Sequence, residues 1–423
     1  MKKTALLFPG QGSQAVGMGK ELCAKYTVAA QAFEEANDVL GFDLRKICFE
    51  GSMEELTKTE NTQPALLTTS VAMYRIYMQE FGNMPAYTAG HSLGEYSALT
   101  CAGALKFSDA VKIVNLRGKF MQEAVPAGIG AMAAISGTER ERIADLCGGF
   151  STGNELVTIS NYNSPEQIVI SGHRAAVDAV CEKLKEMGAR VVPLKVSAPF
   201  HCALMQPAAD MLRAELHKYA YEDLKFPVIS NVTALPYNGS GDIIENLSMQ
   251  IVNPVQWQAS MEYIKENGVE QVLEIGPQTV LRNLMKKIAP SVAAFSFDKQ
   301  EDMKVLTESL KPQSADAGKG KNFRHTVVTK CIAITVCTRN RNWDNEEYQK
   351  GVVEPYRRIQ QMQDQIEKEG NQPTIGQMTE ALEMLRSVFI TKRTPVDEQN
   401  ERFNQVFDET GTRHLFPDFR MPA

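Results

Sequence analysis

The sequence is poor in the residues that build metal sites and disulfides. It has six histidines and eight cysteines in 423 residues, and no two cysteines form a CxxC pair. No histidine stands at zinc-finger spacing from a cysteine, so we predict no bound metal. Scattered cysteines are typical of reduced thiols in a reducing compartment. We therefore expect a cytoplasmic protein.

Long hydrophobic runs and an excess of positive charge are also missing. No stretch approaches the ~20 apolar residues of a membrane span, and the short apolar run after Lys3 is too brief for the core of a signal peptide. The formal net charge of -6 provides no basic surface of the kind that binds nucleic acid. We expect neither a membrane nor a nucleic acid among the partners.

What the sequence does contain indicates a globular α/β protein. Hydrophobic residues make up 43% and charged residues 23% of the chain, as in ordinary folded domains, and the length suggests two or three folded units. Strand-like runs alternate with helical spacing, which predicts a parallel sheet with helices on both sides. We interpret residues 1–125 and 198–311 as a large α/β-hydrolase-like catalytic domain. The predicted strands of its sheet are 4–8, 86–90, 227–230, 271–275 and 293–297.

The remaining residues form an insertion and a C-terminal extension. Residues 126–197 follow the order β-α-β-β-α-β, which predicts an inserted ferredoxin-like domain. Residues 312–322 have the composition of a linker, and residues 323–423 predict a mainly helical extension of unknown role. Within the extension, the apolar run 331–336 is either an added strand or a buried segment that covers the large domain.

Residues 90–94, GHSLG, fit the G-x-S-x-G pattern of a nucleophile elbow. A predicted strand precedes them and a predicted helix follows, which is the context that this pattern needs. Small flanking residues permit a sharp turn that presents Ser92 at the end of the strand, beside the free N–H groups of a helix N-terminus. Ser92 is therefore the candidate nucleophile, although ordinary turns also show this pattern.

A serine nucleophile needs a base, and His201 is the best placed of the histidines. It follows a predicted strand directly, and ligand sites gather at strand ends on this type of sheet. A structural role for His201 remains the alternative.

Arg117 lies on the apolar face of a helix predicted over 109–123, with Ser108 as its N-cap. A charge turned inward needs a partner. That partner is either an internal Asp or Glu, or a substrate carboxylate held by two parallel hydrogen bonds. Both possibilities stay open.

The loop at 10–15, GQGSQA, also fits the G-x-G-x-x-A fingerprint of dinucleotide binding. That fingerprint requires a second strand ending in an acidic residue, whereas Glu34 and Glu35 fall in the helical spacing of residues 20–40. We favour a tight loop that offers N–H groups to an oxyanion, and we expect no bound cofactor.

Seven motifs in the same order resemble the malonyl-CoA:acyl carrier protein transacylase family. They are FPGQGSQ at 8–14, QPAL at 63–66, GHSLGE at 90–95, NYNSPEQIVISG at 161–172, APFH at 198–201, NPVQW at 253–257 and EIGP at 274–277. The resemblance covers residues 4 to about 310 and leaves the C-terminal extension unrecognised.

The resemblance implies an S-malonyltransferase for fatty acid or polyketide synthesis. Malonyl would pass from malonyl-CoA through a Ser92 ester to the phosphopantetheine thiol of acyl carrier protein, in a ping-pong reaction. His201 would be the base, the backbone N–H groups of Gln11 and Leu93 the oxyanion hole, and the main-chain carbonyl of Gln250 the group that orients the base. The implied substrate-binding residues are Arg117, Gln63, His91, Asn163 and Phe200.

Acyl carrier proteins are acidic as a class, so the resemblance also implies a basic docking patch near the mouth of the site. The candidates are Arg190, Lys195, Lys286 and Lys287. One departure from the family pattern is Cys202, where many relatives have serine; we expect altered local hydrogen bonding without loss of activity. Since every motif with a chemical role lies before residue 290, we expect residues from about 312 onward to be dispensable for transfer.

Two other functions stay open at this point. A serine acyl hydrolase would need an Asp or Glu between Ser92 and His201 in chain order, and no acidic residue there has a convincing strand-end position. A non-catalytic scaffold would have lost its nucleophile or its base, and both are present.

Overall fold

The computed structural model describes residues 2–126, 128–194, 196, 198–310, 326–338, 340–342, 344–369, 371–417 and 419–422. The chain divides into two compact units. The first contains Met1–Cys23 and Val39–Pro312, and the second contains Ala24–Asp38 and Gln313–Ala423. The linker predicted at 312–322 lies outside the described residues.

Two sheets, one parallel and one antiparallel, belong to the first unit. The strands in the described part of the chain are β1 (Thr4–Phe8), β2 (Tyr87–Gly90), β3 (Gly130–Ser136), β4 (Val157–Ser164), β5 (Gln167–His173), β6 (Arg190–Pro193), β7 (Val228–Ile229), β8 (Gln271–Glu274) and β9 (Ala293–Ser296). The parallel sheet has the order β7-β2-β1-β8-β9. All five residues of β1 are buried, as expected of a central strand that is covered on both faces. The predicted parallel sheet is therefore confirmed.

Helices connect the strands of both sheets. They are α1 (Lys20–Lys25), α2 (Thr27–Leu40), α3 (Leu44–Glu50), α4 (Met53–Thr57), α5 (Thr59–Glu80), α6 (Leu93–Cys101), α7 (Phe107–Glu123), α8 (Arg140–Phe150), α9 (Arg174–Glu186), α10 (Gln206–Leu216), α11 (Ile243–Gln250), α12 (Trp257–Glu266), α13 (Val280–Ile288) and α14 (Gln300–Leu310). In the part of the chain described here, no helix is both long and apolar enough to cross a bilayer.

One predicted helix differs from the observed one at its start. The helical spacing of residues 20–40 corresponds to α1 and α2, which are interrupted at Tyr26. Helix α7 begins at Phe107, and the residue in the N-cap position is Lys106, which has an extended backbone and makes no side-chain cap. The prediction of Ser108 as the cap was wrong, because Ser108 already lies in the first helical turn.

The antiparallel sheet is formed by residues between the two segments of the parallel sheet. Its order is β4-β5-β3-β6, and its elements follow the chain as β3, α8, β4, β5, α9 and β6. Helices α8 and α9 contribute Ile143, Val180 and Leu184 to a core that also contains Ile159 and Ile170 of the sheet. Strand β6, the last strand of this sheet along the chain, ends at Pro193.

The second unit is helical in the residues that the structure describes. Its helices from the extension are α15 (Val327–Cys337), α16 (Asn345–Tyr348), α17 (Glu354–Glu369), α18 (Ile375–Thr391) and α19 (Val396–Thr410), with a π-helical turn at Gln349–Val353. Residues 331–336 form the middle of α15, where Cys331 and Ile334 are buried in the core of this unit. The added strand considered for this run was wrong, since a short apolar run suits a buried helix equally well.

Residues Ala24–Asp38, most of them in α2, belong to the second unit. The hydroxyl of Tyr348 donates to Asp38 Oδ2 over 3.1 Å. Burial raises the pKa of Asp38, while the charge of Lys392 and the hydrogen bond from Tyr348 lower it. Lys392 is itself buried and donates to the main-chain oxygens of Thr335 and Thr338 over 3.0 and 2.9 Å. The sequence had placed all of residues 1–125 in one catalytic domain and did not indicate this grouping.

Because α2 and the extension form one compact unit, we expect removal of residues 312–423 to lower the melting temperature. The truncated chain should also bind more of a hydrophobic dye, since Ala29, Ala32 and Phe33 of α2 are fully buried in the whole chain. Thermal unfolding and dye fluorescence measure the two effects. Tyr348→Phe in the full chain is the mild control, because one lost hydrogen bond costs about 1 kcal/mol. A truncated chain that has the melting temperature of the full-length protein and binds no additional dye would contradict the expectation.

Candidate active site

A cavity of about 180 Å³ lies where β1 and β2 end. Gly10 and Gln11 follow β1 into its wall, and His91, Ser92 and Leu93 follow β2. Because adjacent parallel strands end at the same edge of a sheet, the glycine-rich loop after β1 and the GHSLG turn after β2 meet here although 80 residues separate them.

The turn at Ser92 is sharply strained and needs both flanking glycines. Ser92 has φ 49° and ψ -106°, a conformation that non-glycine residues rarely adopt. A Cβ on Gly90 would lie 1.9 Å from the carbonyl of Gly94, and a Cβ on Gly94 would lie 1.9 Å from the carbonyl oxygen of Phe8. The glycines therefore let helix α6 approach β1 closely, with Ser92 at the tip of the turn.

Ser92 and His201 are in direct contact. The Oγ of Ser92 lies 2.8 Å from Nε2 of His201, and Nδ1 of His201 lies 2.7 Å from the main-chain oxygen of Gln250. A carbonyl can only accept, so Nδ1 carries the proton and Nε2 presents a lone pair to the hydroxyl. Burial and the nearby charge of Arg117 lower the pKa of His201 to about 3. The imidazole is therefore neutral, and able to accept a proton, throughout the physiological pH range.

Arg117 is a buried cation whose hydrogen-bond partners are neutral. Its Nη1 donates to Oε1 of Gln63 over 2.8 Å, and its Nη2 donates to Oε1 of Gln250 over 2.9 Å and to Oγ of Ser92 over 3.2 Å. The guanidinium also lies over the ring of Tyr96, 5.3 Å from its centroid. Among the described residues, no carboxylate accepts a hydrogen bond from it. The geometry thus favours a substrate anion over the internal Asp or Glu that the sequence left open.

His91 and Asn163 form a second polar pair in the cavity wall. Nε2 of His91 lies 2.8 Å from Oδ1 of Asn163, and burial lowers the pKa of His91. Strand β4 changes register on both sides of Tyr162, and such irregularities re-aim side chains beside binding sites. Phe200 lines the same cavity.

The predicted oxyanion hole consists of the backbone N–H groups of Gln11 and Leu93. Leu93 is the first residue of α6, where N–H groups have no intrahelical acceptor. Gln11 lies in the loop at 10–15. A residue distant in sequence supports this loop, because Nε2 of Gln278 donates to the main-chain oxygen of Ser13 over 3.2 Å. Both Leu93 and Gln11 line the cavity.

Sequence reasoning missed a buried polar network behind the cavity. Oδ1 of Asn231 accepts from the backbone N–H of Ser92 over 2.7 Å, and Nδ2 of Asn231 donates to the oxygen of Gly90. Glu95 accepts from Tyr237, from Gln250 and from the backbone of Asn231. Asn231 follows β7 at the same edge of the sheet, and this strand-end position was the signal that could have found it.

An apolar wall of the cavity was also missed. Leu281 and Leu284 come from α13, and Met121 comes from the same helix as Arg117. These residues carried no chemical signal, because helical spacing of apolar residues is also that of an ordinary core.

The four candidate docking residues are less well placed. Arg190 and Lys286 are exposed, and Lys287 forms an exposed ion pair with Glu166 over 3.0 Å. None of these three lines the cavity, and Lys195 lies outside the described residues. Docking therefore stays a prediction for all four.

Cys202 does not disturb the base beside it. Its thiol donates to the main-chain oxygen of Pro199 over 3.1 Å and is buried. With cysteine at this position, the bond between His201 and Gln250 is formed.

The arrangement suits acyl transfer through an ester on serine. It combines a hydroxyl, a neutral imidazole, two N–H groups and a cation within one cavity. The partner of the imidazole is a main-chain carbonyl and not the carboxylate that a hydrolase of the Ser-His-Asp type would use. The described residues contain no group of three or more His, Cys, Asp or Glu side chains that could hold a metal ion.

The chain is similar to known proteins over most of its length. Residues 5–324 match a family described as "Acyl transferase domain". The malonyl CoA-acyl carrier protein transacylase of Escherichia coli K12 is 48% identical over 309 residues, which cover 73% of this chain and 100% of that protein. Its counterpart from Bacillus subtilis is 40% identical over 399 residues, which cover 94% of this chain and 99% of that protein. The second match is longer than the family match, so it reaches well into the C-terminal extension.

A solved structure shows the same fold in the presence of a partner. It is described as a type II PKS acyl-carrier protein in complex with its malonyl-transacylase. The TM-score is 0.71 and the identity 45%, over 73% of this chain and 99% of that chain.

Proposed function

We infer that this chain, which belongs to the acyl transferase family, has the activity of a malonyl CoA-acyl carrier protein transacylase. The enzyme is an acyltransferase that takes malonyl from malonyl-CoA and delivers it to acyl carrier protein, for fatty acid or polyketide synthesis. One observation carries the assignment to this site. A buried arginine with neutral partners lies 3.2 Å from the hydroxyl of a serine that is paired with a neutral histidine.

In the first half of the cycle, Ser92 attacks the thioester of malonyl-CoA. Nε2 of His201 takes the proton from Oγ as the new C–O bond forms, and the carbonyl of Gln250 supports the resulting imidazolium through Nδ1. The N–H groups of Gln11 and Leu93 receive the negative charge on the carbonyl oxygen. The C–S bond then breaks, and His201 returns the proton to the thiolate of coenzyme A.

In the second half, the phosphopantetheine thiol of the carrier attacks the malonyl ester. His201 takes the thiol proton, the C–O bond to Ser92 breaks, and the proton returns to Oγ. Arg117 holds the free carboxylate of malonate throughout, while Gln63 fixes the guanidinium from behind. His91, Asn163 and Phe200 would border the acyl chain. The cycle needs no bound cofactor, because side chains and backbone groups of this chain supply every role.

The ester must survive until the carrier arrives, so water has to be kept from it. Met121, Met132, Phe200, Leu281 and Leu284 give the cavity an apolar lining that supports this requirement. A hydrolase would instead admit water. The neutral carbonyl behind the base and the cation of Arg117, whose hydrogen-bond partners are all neutral, both favour transfer of a charged acyl group over general ester hydrolysis.

The domain roles belong to the same proposal. We assign catalysis to residues 1–125 and 198–311, with 126–197 as a ferredoxin-like insert domain, 312–322 as a linker and 323–423 as an extension. The strand order β4-β5-β3-β6 supports the insert assignment. A cytoplasmic location stays a prediction.

The test is mass spectrometry of the intact protein. Brief exposure to malonyl-CoA should add one malonyl group to the protein, and holo acyl carrier protein should remove it with formation of malonyl-carrier. A protein that gains no malonyl mass, or that releases free malonate as fast without carrier as with it, is not the transferase proposed here.

Arg117→Ala should reduce malonyl transfer far more than acetyl transfer. The lost contact is a desolvated charge pair with the free carboxylate, worth roughly 2–5 kcal/mol when one partner is truncated, and acetyl has no such carboxylate. The ratio of the two values of kcat/KM is the measurement.

The matched control is Arg140→Ala. Arg140 also stacks on a tyrosine, with its guanidinium 4.4 Å from the ring centroid of Tyr162, but it lies outside the cavity lining. It should leave the ratio unchanged. Equal loss of both activities in Arg117→Ala would point to a structural role for Arg117.

A further inference from the structure

Glu95 is a fully buried carboxyl group directly behind the nucleophile. It lies in the first turn of α6, three residues after Ser92, and is 0% exposed. Oε1 accepts from the hydroxyl of Tyr237, and Oε2 accepts from the backbone N–H of Asn231 over 3.1 Å and from Nε2 of Gln250 over 2.6 Å. Burying a charge is costly unless donors surround it. Three converging donors therefore indicate a site built to hold a carboxylate.

The contact with Gln250 sets the direction of that side-chain amide. An ionised carboxylate only accepts hydrogen bonds, so it holds the NH₂ end of Gln250 and turns Oε1 toward Nη2 of Arg117, 2.9 Å away. The same NH₂ group donates to the main-chain oxygen of Ser92 over 3.0 Å. The main-chain oxygen of Gln250, in turn, accepts from His201. One amide thus links the carboxylate to the cation, the nucleophile and the base.

The contact with Asn231 holds the strained turn. With its backbone fixed by Glu95, the side chain of Asn231 spans the turn, accepting from the N–H of Ser92 over 2.7 Å and donating to the oxygen of Gly90 over 2.6 Å. These two bonds secure a residue whose φ of 49° is unfavourable.

We propose that Glu95 is a positioning residue for malonyl transfer, which must be ionised so that Gln250 and Asn231 hold Arg117, His201 and Ser92 in reactive geometry. Glu95 touches none of the reacting atoms and acts through these two amides. The proposal rests on the transferase activity assigned above and adds to it a carboxylate that the reaction steps themselves do not use.

The ionisation of Glu95 falls in an accessible pH range. Burial raises its pKa to about 7, against the lowering effect of Tyr237, Gln250, the N–H of Asn231 and the charge of Arg117. Of the groups facing it, Tyr237 has a pKa well above its ordinary value and Tyr96 one of about 12, while Arg117 stays charged. His201, with a pKa of about 3, remains neutral as Glu95 gains its proton. Transfer should therefore weaken as the pH falls through about 7.

The experiment measures the single-turnover rate of malonyl-enzyme formation from pH 5.5 to 8.5. The variants are Glu95→Gln, which imitates the protonated carboxyl, and Tyr237→Phe, which removes one donor. Tyr219→Phe is the matched control, because Tyr219 donates to Glu215 over 2.8 Å away from the cavity. Melting temperatures establish that each variant is folded.

We expect a wild-type rate that falls with pH through about 7. Tyr237→Phe should move that fall to higher pH and recover toward the wild-type rate at pH 8.5, since a lost donor raises the pKa of a carboxyl group. Glu95→Gln should be nearly independent of pH and slower than wild type at pH 8 by about 10- to 100-fold, the effect of one charge-assisted hydrogen bond. Tyr219→Phe should follow wild type.

The outcomes separate this inference from the function on which it rests. A wild-type protein that forms no malonyl adduct at any pH overturns the transferase assignment itself. In a second outcome, the wild-type protein forms the adduct with a rate that falls at low pH, and both variants show the same pH dependence. That result overturns the role of Glu95 and leaves the transferase assignment intact. If Glu95→Gln does not fold, the pH at which the rate of Tyr237→Phe falls decides whether Glu95 has the proposed role.

Discussion

Ser92→Ala is expected to form no malonyl adduct and to lose transfer activity by a factor on the order of 10⁶, as in other serine enzymes that lose their nucleophile. The hydroxyl that contacts both His201 and Arg117 is the atom removed. Intact-mass measurement after exposure to malonyl-CoA tests the adduct, and a coupled assay with carrier protein tests turnover. The cation of Arg117 remains, so malonyl-CoA should still bind.

Ser97→Ala is the matched control for that substitution. Ser97 lies in the same helix, α6, and is buried, and its hydroxyl has no hydrogen-bond partner among the residues that the structure describes. Its loss should leave adduct formation unchanged. A malonyl adduct of wild-type yield on Ser92→Ala would place the nucleophile elsewhere.

The core of this site could be predicted because its signals are local. The turn around Ser92 needs glycines two residues before and two residues after the serine, and a motif of five consecutive residues shows this requirement. Arg117 could be found because it breaks the apolar face of a helix that also carries Val114 and Met121. The sheet could be predicted for a similar reason, since short apolar strands such as β1 end at clear turn residues.

The residues that hold this core in place could not be predicted in the same way. Asn231 and Tyr237 contact Glu95 across 136 and 142 residues of chain. Glu95 itself stood in a recognised motif, yet in sequence it is only an acidic residue in the first turn of a helix, which is common for electrostatic reasons. The function of such a carboxyl group depends on donors that only the folded chain brings to it.

The grouping of Ala24–Asp38 with the extension could not be predicted for the same reason: it depends on contacts that only the folded chain forms. Helix α2 has ordinary amphipathic spacing, and nothing in that spacing distinguishes a partner in the catalytic domain from a partner after residue 312. The match with the Bacillus subtilis protein over 399 residues shows that a relative shares most of this extension. Because a second protein carries most of the extension, the result of the truncation experiment bears on that relative as well.

His201→Ala is expected to slow acylation by about 10²–10⁴-fold, the usual contribution of a general base. The adduct should still form on prolonged exposure, because Ser92, Arg117 and the N–H groups of the cavity remain. Burial keeps the pKa of the wild-type imidazole at about 3, so it is neutral at all higher pH values and its own titration does not limit the rate near neutrality. Single-turnover rates from the malonyl mass against time provide the measurement.

Two comparisons decide whether His201 is the base. His91→Ala removes the other histidine of the cavity, whose Nε2 is engaged with Asn163, and it should slow acylation less than His201→Ala does. Added imidazole should restore part of the rate to His201→Ala, since it can enter the space left by the side chain and accept the proton from Ser92. It should do nothing for His91→Ala. A larger loss in His91→Ala, or imidazole rescue of that variant alone, would transfer the role of base to His91, and the bond between His201 and Gln250 would then be structural.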